Sequence, residues 1–198
     1  INKLKNKLKN TNLDGYLIPK NDEFFSEYVS YNKDLLQHIS NFSGSYGLAL
    51  ILKGDNFLFV DGRYTVQANN QSGKNFKIIT LPLKKIRNNL NIKNKKIGFN
   101  PKLFNERSIK QFEKKFSAKF IAMNNGLINL KEKKKNAKLK NNKFYVLDKS
   151  ITGETSQKKI KKLKRYFYKN NIDVMLITSS ENVAWLLNIR GNDSDFSP

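Results

Sequence analysis

One histidine and no cysteine leave this chain few ways to do chemistry, and the candidates fall in three short stretches. Asn41-Phe42-Ser43-Gly44-Ser45-Tyr46-Gly47 is a Gly/Ser loop of the kind whose backbone amides can cradle a phosphate. It precedes a strand-like run, whereas a phosphate-binding loop opens a helix and carries a lysine, so a tight structural turn competes with anion binding there. Val60-Asp61-Gly62-Arg63-Tyr64 sets an acid and a base two residues apart. That spacing suits an acid–base pair, and equally a helix N-cap in which Arg63 pairs with a local carboxylate. Ala184-Trp185-Leu186-Leu187-Asn188-Ile189-Arg190-Gly191-Asn192-Asp193 is an apolar helix end running into a polar loop, and alone it signals only a helix C-terminus. His38 stands just before the first stretch and reads as a surface or partly buried imidazole without a catalytic role. Without cysteine, disulfides and thiolate metal sites are excluded, and a single histidine excludes a His-rich one.

The elements that must position these stretches follow from the apolar pattern. Leu4 and Leu8 lie one turn apart in an amphipathic helix over 3–11, with Asn12 suited to a left-handed helix end. Gly15–Ile18 is a short buried strand stopped by Pro19. Residues 20–32 form a loop, and 33–39 a helical turn. Leu48–Leu52 and Asn56–Val60 flank Lys53-Gly54-Asp55, a hairpin signal. Asp61 then caps a helix reaching about Asn70. Further strands are expected at 76–80, 96–99 and 120–123, with helices around 83–91 and at Asn105-capped 106–116. Strands alternating with helices, plus one hairpin, predict an α/β fold with a mixed β-sheet flanked by helices.

The chain also begins the same way twice. Residues 1–18 align without a gap to 160–177, and Ile1, Leu4, Asn12, Asp14, Leu17 and Ile18 recur as Ile160, Leu163, Asn171, Asp173, Leu176 and Ile177. A repeat at this distance fits a duplicated domain. We therefore expect domain I at 1–129, a Lys/Asn-rich linker at 130–150 that cannot bury a face, and the incomplete start of domain II at 151–198. In the latter, Lys149–Glu154 reads as a turn, Ser156 caps a helix over 157–169, 173–177 is a strand and 180–187 a helix. With so little of that domain present, Leu163, Phe167, Leu176, Ile177, Trp185 and Leu186 are expected to stay exposed, or to pack on domain I or a second chain.

The net charge of +22 over 198 residues invites a nucleic-acid partner. Against this, the bases are nearly all lysine, with arginine only at 63, 87, 107, 165 and 190, and they are spread along the whole chain. No aromatic-plus-basic stacking motif accompanies them. A compositional bias toward Lys, Asn and Ile at tolerant surface positions explains the charge, leaving non-specific stickiness to polyanions at low salt and no specific nucleic acid. No run approaches the roughly 18 apolar residues of a membrane span and no secretory signal is visible, so no membrane partner and a cytoplasmic location are expected.

Taken in order, the motifs resemble the front part of the long, three-domain Xaa-Pro aminopeptidases. Asp14-Gly15-Tyr16-Leu17-Ile18-Pro19 with Asp22-Glu23, then Glu27-Tyr28-Val29, the Asn41–Gly47 loop, Phe59–Tyr64 with Gln67-Ala68, and Trp185–Asp193 all match that family's pattern. Asn41 and Tyr46 depart from it, standing where relatives carry Gly and Ala. The resemblance implies a creatinase N-terminal, ribonuclease-H-like fold for domain I and a similar domain II. It also implies a third, catalytic domain beyond this chain that holds two divalent metal ions, manganese by preference, and hydrolyses peptides with proline second.

This chain would then carry no catalytic residue and no metal ligand. It would gate substrate access and support a homodimer, with His38, Phe42, Ser43, Gly44, Ser45, Arg63, Arg190 and Asp193 as gating or interface candidates. The partners would be proline-containing peptides. A free-standing creatinase-like binding module without peptidase activity is the alternative.

Overall fold

The computed structural model describes residues 1–26, 28–82, 90–128 and 143–191, and the chain divides into two compact units, Ile1–Asn136 and Ala137–Pro198. The first is built on a six-stranded mixed sheet of order β4-β3-β2-β1-β5-β6. Its strands are β1 (Gly15–Pro19), β2 (Gly47–Leu52), β3 (Asn56–Val60), β4 (Lys77–Thr80), β5 (Lys96–Phe99) and β6 (Lys119–Ala122). β1, β2 and β3 run antiparallel, while β1–β5, β3–β4 and β5–β6 are parallel pairs. Pro19 is the last paired residue of β1, opposite Leu48, rather than a stop before it.

A central strand covered on both faces should be apolar at every position, and all five residues of β1 are buried. Alternate side chains serve opposite layers. Tyr16 and Ile18 join Ala49, Ile51, Leu58 and Val60 on one face, under Leu4 and Leu8 of α1 (Asn2–Lys9), Leu36 of α2 (Leu35–Ser40) and Ala68 of α3 (Thr65–Ser72). Leu17 joins Leu48, Leu50, Phe57, Phe59 and Ile97 on the other, with Phe116 of α4 (Glu106–Phe116). There Phe99, Phe104, Phe112, Phe116 and Phe120 form a chain of ring contacts with centroids 5.6–6.5 Å apart. Gly98 makes room for this layering: a Cβ there would come within 2.7 Å of Leu13 and 3.0 Å of Tyr16.

Local chemistry sets most boundaries. Asp34 caps α2 through Gln37 N–H, Asn105 caps α4 through Ser108 N–H, and Asp61 caps a 3-10 turn, Gly62–Tyr64, that leads into α3. Asn12 does not take the left-handed conformation expected of it. α1 ends earlier, at Asn10 with φ −91°, where the Asn10 N–H donates to Lys7 O (3.1 Å) and the Thr11 N–H to Leu8 O (3.2 Å). The counterpart of Asn12 in the repeat, Asn171, is left-handed at φ 51°. The helix expected around 83–91 and nearly all of the Lys/Asn-rich run at 130–143 lie outside the described residues.

The second unit contains β7 (Tyr145–Val146) paired antiparallel with β8 (Ile189–Arg190), α5 (Lys149–Thr152), α6 (Ser156–Lys169) and α7 (Ser180–Leu187). The stretch at 149–154 is thus a short helix rather than a plain turn, because Asp148 accepts the Ser150 N–H at its start. Thr155, one residue before the expected Ser156, caps α6 through Lys158 N–H. Residues 173–177 join no ladder, since no strand lies alongside them among the described residues. Leu176 and Trp185 are exposed, and Leu163, Phe167, Ile177 and Leu186 are only partly covered.

Candidate functional site

In the first unit the folded chain brings two of the three motifs together. Asn41 ends α2 in the left-handed region (φ 65°), which turns the chain into the Gly/Ser loop. Phe42 points inward, fully buried, with Tyr64 edge-on to its ring at 5.8 Å. Ser43 is clamped from both sides: its N–H donates to Gln71 Oε1 (3.0 Å), and its Oγ accepts from Gln67 Nε2 (3.0 Å) and Gln71 Nε2 (2.9 Å). Ser45 Oγ lies 2.7 Å from the Tyr64 hydroxyl. Below them, Ser72 Oγ donates to Ser40 O at 2.8 Å. Gly44 is buried against Phe42, where a Cβ would sit 2.2 Å from the ring's Cζ. These bonds hold the Asn41–Gly47 loop as a rigid rim, with the exposed Tyr46 side chain on its outer surface.

The Asp61–Arg63 pair is a cap. Asp61 accepts the Arg63 backbone N–H at 2.9 Å and its Nε at 3.0 Å. That backbone bond first, and the guanidinium second, hold the Asp61 carboxyl below the usual carboxylate range. The guanidinium also lies 5.4 Å from the Tyr64 ring centroid. An ionised, cap-bound carboxylate beside a permanent cation has no proton to give, so the geometry favours anchoring over acid–base work. His38 faces away from this network: its ring lies 4.8 Å from the Tyr31 ring and its Nε2 3.1 Å from Tyr31 O.

In the second unit the Trp-Leu-Leu-Asn-Ile-Arg stretch forms its own junction. Asn188 ends α7 in the left-handed region (φ 56°), and its Nδ2 donates to Glu154 O (2.8 Å) and Thr152 Oγ1 (3.3 Å). Lys159 is 5% exposed, donates to Trp185 O (2.7 Å) and Asn188 Oδ1 (2.6 Å), and lies 4.2 Å from the Trp185 ring centroid. A carbonyl at a helix C-terminus carries partial negative charge, and the ring face adds a cation–π contact, so neutral groups hold this buried ammonium. Arg190, in β8, donates from Nη1 to Ile189 O, and Asp193 lies outside the described residues.

Sequence reasoning missed Gln71 and Lys159. The signal for the first is Gln67 and Gln71 four apart on one face of α3. For the second it is a lysine four residues before Leu163 on the apolar side of α6.

Among the described residues, no group of three or more His, Cys, Asp or Glu side chains could hold a metal ion. These residues do not fit a dinuclear metal site.

The creatinase/prolidase N-terminal domain profile matches residues 1–130, and a second profile of the same description matches 135–198. The chain belongs to the creatinase/prolidase N-terminal domain family. Over 215 aligned residues this creatinase/prolidase chain is 29% identical to Xaa-Pro aminopeptidase 1 of Dictyostelium discoideum, covering 100% of its own length and 34% of the relative's. With Xaa-Pro aminopeptidase 2 of Mus musculus it shares 26% over 209 residues, covering 98% of itself and 30% of that protein. Among solved structures, the X-prolyl aminopeptidase of Caenorhabditis elegans, described as a cytosolic enzyme with a di-nuclear active site, superposes with a TM-score of 0.75 at 27% identity. That match covers 92% of this chain and 31% of the other. The chain spans about a third of the length of these relatives.

Proposed function

We propose that this chain is the N-terminal, non-catalytic part of a longer Xaa-Pro aminopeptidase, an enzyme that releases the first residue of peptides whose second residue is proline. One observation carries this reading: two creatinase/prolidase matches run in tandem inside an alignment to an Xaa-Pro aminopeptidase that covers the whole chain. Domain I would be 1–129, the linker 130–150 and the opening of domain II 151–198. The pairing of Tyr145–Val146 with Ile189–Arg190 ties the last linker residues to the second unit. Two divalent metal ions, manganese by the family resemblance, would be bound by the catalytic domain. The di-nuclear site attributed to the Caenorhabditis enzyme supports a pair of metals.

The role assigned to the chain itself is access control. The Asn41–Gly47 rim is fixed by Ser43, Ser45 and buried Phe42 before any peptide arrives, so it would act as a wall of constant shape. It would restrict entry to short peptides, and the 188–193 stretch, with Arg190 and Asp193, is a further gating candidate. Arg63 would help brace the rim through Tyr64. The cytosolic description of the Caenorhabditis enzyme supports a cytoplasmic location, and no helix among the described residues is long and apolar enough to cross a membrane. The working form would be a homodimer.

The test is kinetic. In the full-length polypeptide, shortening the 41–47 loop should raise kcat/KM for long Xaa-Pro peptides relative to short ones, or lower turnover on both. Unchanged constants for a tripeptide and a decapeptide would remove the gating role. Absence of Xaa-Pro cleavage by the unaltered full-length protein would remove the function itself.

A further inference from the structure

Lysines that are spread along the sequence are gathered in space. β1, β3, β4, β5 and β6 run in one direction and β2 returns, so Gly15, Leu52, Asn56, Lys77, Lys96 and Lys119 mark one end of the sheet. Lys53, Lys74, Lys93, Lys95, Lys96 and Lys119 all stand at a strand terminus of that end or within three residues of it. Lys95 is half-buried and the other five are exposed. None of the six is in an ion pair among the described residues. Against them the same end sets Asp14, which accepts the Lys96 N–H, and Glu113, which accepts the Phe120 N–H; Asp55 is paired with Lys77 at 2.9 Å. Past the other strand ends the balance differs, since Lys20, Lys33 and Arg63 are paired with Asp34, Glu23 and Asp61. A compositional bias alone would load both ends alike.

The lysines rise from a fixed base. Backbone bonds lace their turns together: Lys53 N–H to Asp14 O (3.3 Å), Asp14 N–H to Lys96 O (2.8 Å), Lys119 N–H to Lys95 O (2.9 Å) and Asn94 N–H to Ser117 O (2.8 Å). They run from β4 at one sheet edge to β6 at the other, a width of about 24 Å at the usual strand spacing. This end has charge and little else. The first unit's described arginines, Arg63 and Arg107, follow the opposite ends of β3 and β5. Its exposed aromatic rings all fall within residues 24–46, between the end of β1 and the start of β2, and so at the opposite end too.

We propose that the lysine-bearing end of the first unit is an adsorption face for a membrane surface rich in anionic lipid headgroups. Reading nucleic-acid bases calls for arginine forks or stacking rings, and this face has neither. A field of headgroups asks only for compact cations on flexible stems, distributed over a broad face. The sequence argument against a membrane partner concerns an apolar span, and adsorption through charge requires none. The Asn41–Gly47 rim leads into β2 at the opposite end of the sheet, so a unit resting on its lysines keeps the rim toward solvent. The inference goes beyond the aminopeptidase reading and requires no peptide substrate.

The experiment is co-sedimentation of the 198-residue chain with vesicles of phosphatidylcholine alone or with about one-third phosphatidylserine. Expected is binding to the anionic vesicles only, weakening as salt rises past about 0.1 M. A lysine near such a surface is worth about fivefold in affinity, so Lys95→Gln with Lys119→Gln should weaken binding about thirtyfold. Lys102→Gln with Arg107→Gln removes the same charge from the other end and should change it less than about threefold. A second readout uses the unaltered chain: anionic vesicles should slow lysine acetylation at 93, 95, 96 and 119 and leave it unchanged at 102 and 110. Absence of binding to anionic vesicles overturns the proposal. Equal losses in the two double variants, or protection at 102 and 110 instead, do the same, because net charge alone would then be acting. So does an RNA or DNA oligonucleotide that binds more tightly than the vesicles at equal phosphate and loses the same thirtyfold in the first variant, since the face would then belong to nucleic acid. Xaa-Pro cleavage by the full-length protein bears on none of these outcomes.

Discussion

Replacing Gly44 by alanine would drive a methyl carbon into the Phe42 ring. The added Cβ would lie 2.2 Å from Cζ and 2.9 Å from both Cε atoms, where non-bonded carbons settle at about 3.5–4.0 Å. The ring must therefore retreat by more than about 1 Å. Its retreat is blocked, because Phe42 is completely buried, shares its wall with Leu36 beside Gly47, and meets Tyr64 edge-on. Overpacking of this kind costs about 1–3 kcal/mol, and in a protein of this length each kcal/mol lowers the midpoint by roughly 2–4 °C. Trp185, the only tryptophan, lies in the second unit and cannot report on the loop. Native-state hydrogen exchange at Ala49, Leu50 and Leu58, all completely buried in β2 and β3, can. The decisive version is a double-mutant cycle. In a Phe42→Leu background the clash is relieved, and Gly44→Ala should cost less than about 0.5 kcal/mol. If Gly44→Ala costs the same in both backgrounds, Phe42 is not what excludes a side chain at 44, and the account of the loop as a wall shaped around that ring is wrong.

Lys159→Ala would strip the Trp185 carbonyl and the buried Asn188 amide oxygen of their shared donor. It should destabilise the second unit by about 2 kcal/mol, read as a lowered urea midpoint of Trp185 fluorescence; an unmoved midpoint would mean the ammonium is not a structural link. Tyr16 gives a pH prediction: burial, partly opposed by the Leu127 N–H that its hydroxyl accepts at 3.2 Å, raises its pKa above the ordinary 10.0. The folded state then favours the protonated phenol. That contribution is fully present below about pH 10 and is lost as pH climbs through the raised value. Stability of the first unit should accordingly fall more steeply between pH 10 and 11 in the native sequence than in Tyr16→Phe, and parallel slopes would contradict this.

How far the sequence reveals this molecule depends on whether the cause is local. Asp34, Asp61 and Asn105 cap the segments that follow them within a few residues, and the Lys53-Gly54-Asp55 hairpin closes on itself, so these are readable. The Ser43–Gln71 clamp spans 28 residues, and nothing near either residue announces the other. Residues 173–177 have the apolar run of their counterpart β1, but a strand is made by its neighbours as much as by its own residues. β1 has β2 on one side and β5 on the other. Lys159 was hidden by its type, since a lysine in a lysine-rich helix reads as solvated. The site candidates divide the same way. Phe42, Ser43, Gly44 and Ser45 converge with the Tyr64 helix start, a meeting that no spacing in the sequence announces, whereas His38 lies beside Tyr31.

The double pairing of β1 also orders events in time. Asp14 and Lys96 join the start of β1 to the start of β5 through bonds of 2.8 Å across 82 residues. On a ribosome adding about 5–20 residues per second, the β1–β2–β3 meander can assemble first. The β5-facing edge of β1 then stays open for roughly 2–8 s until its parallel partner emerges. During that interval Gly15, Tyr16 and Leu17 present unpaired backbone on an apolar strand, the kind of edge that recruits other chains. The nascent protein is thus most vulnerable to aggregation before Lys96 is synthesised, and a chaperone that shields the first half of the chain would matter more to its yield than one acting after release.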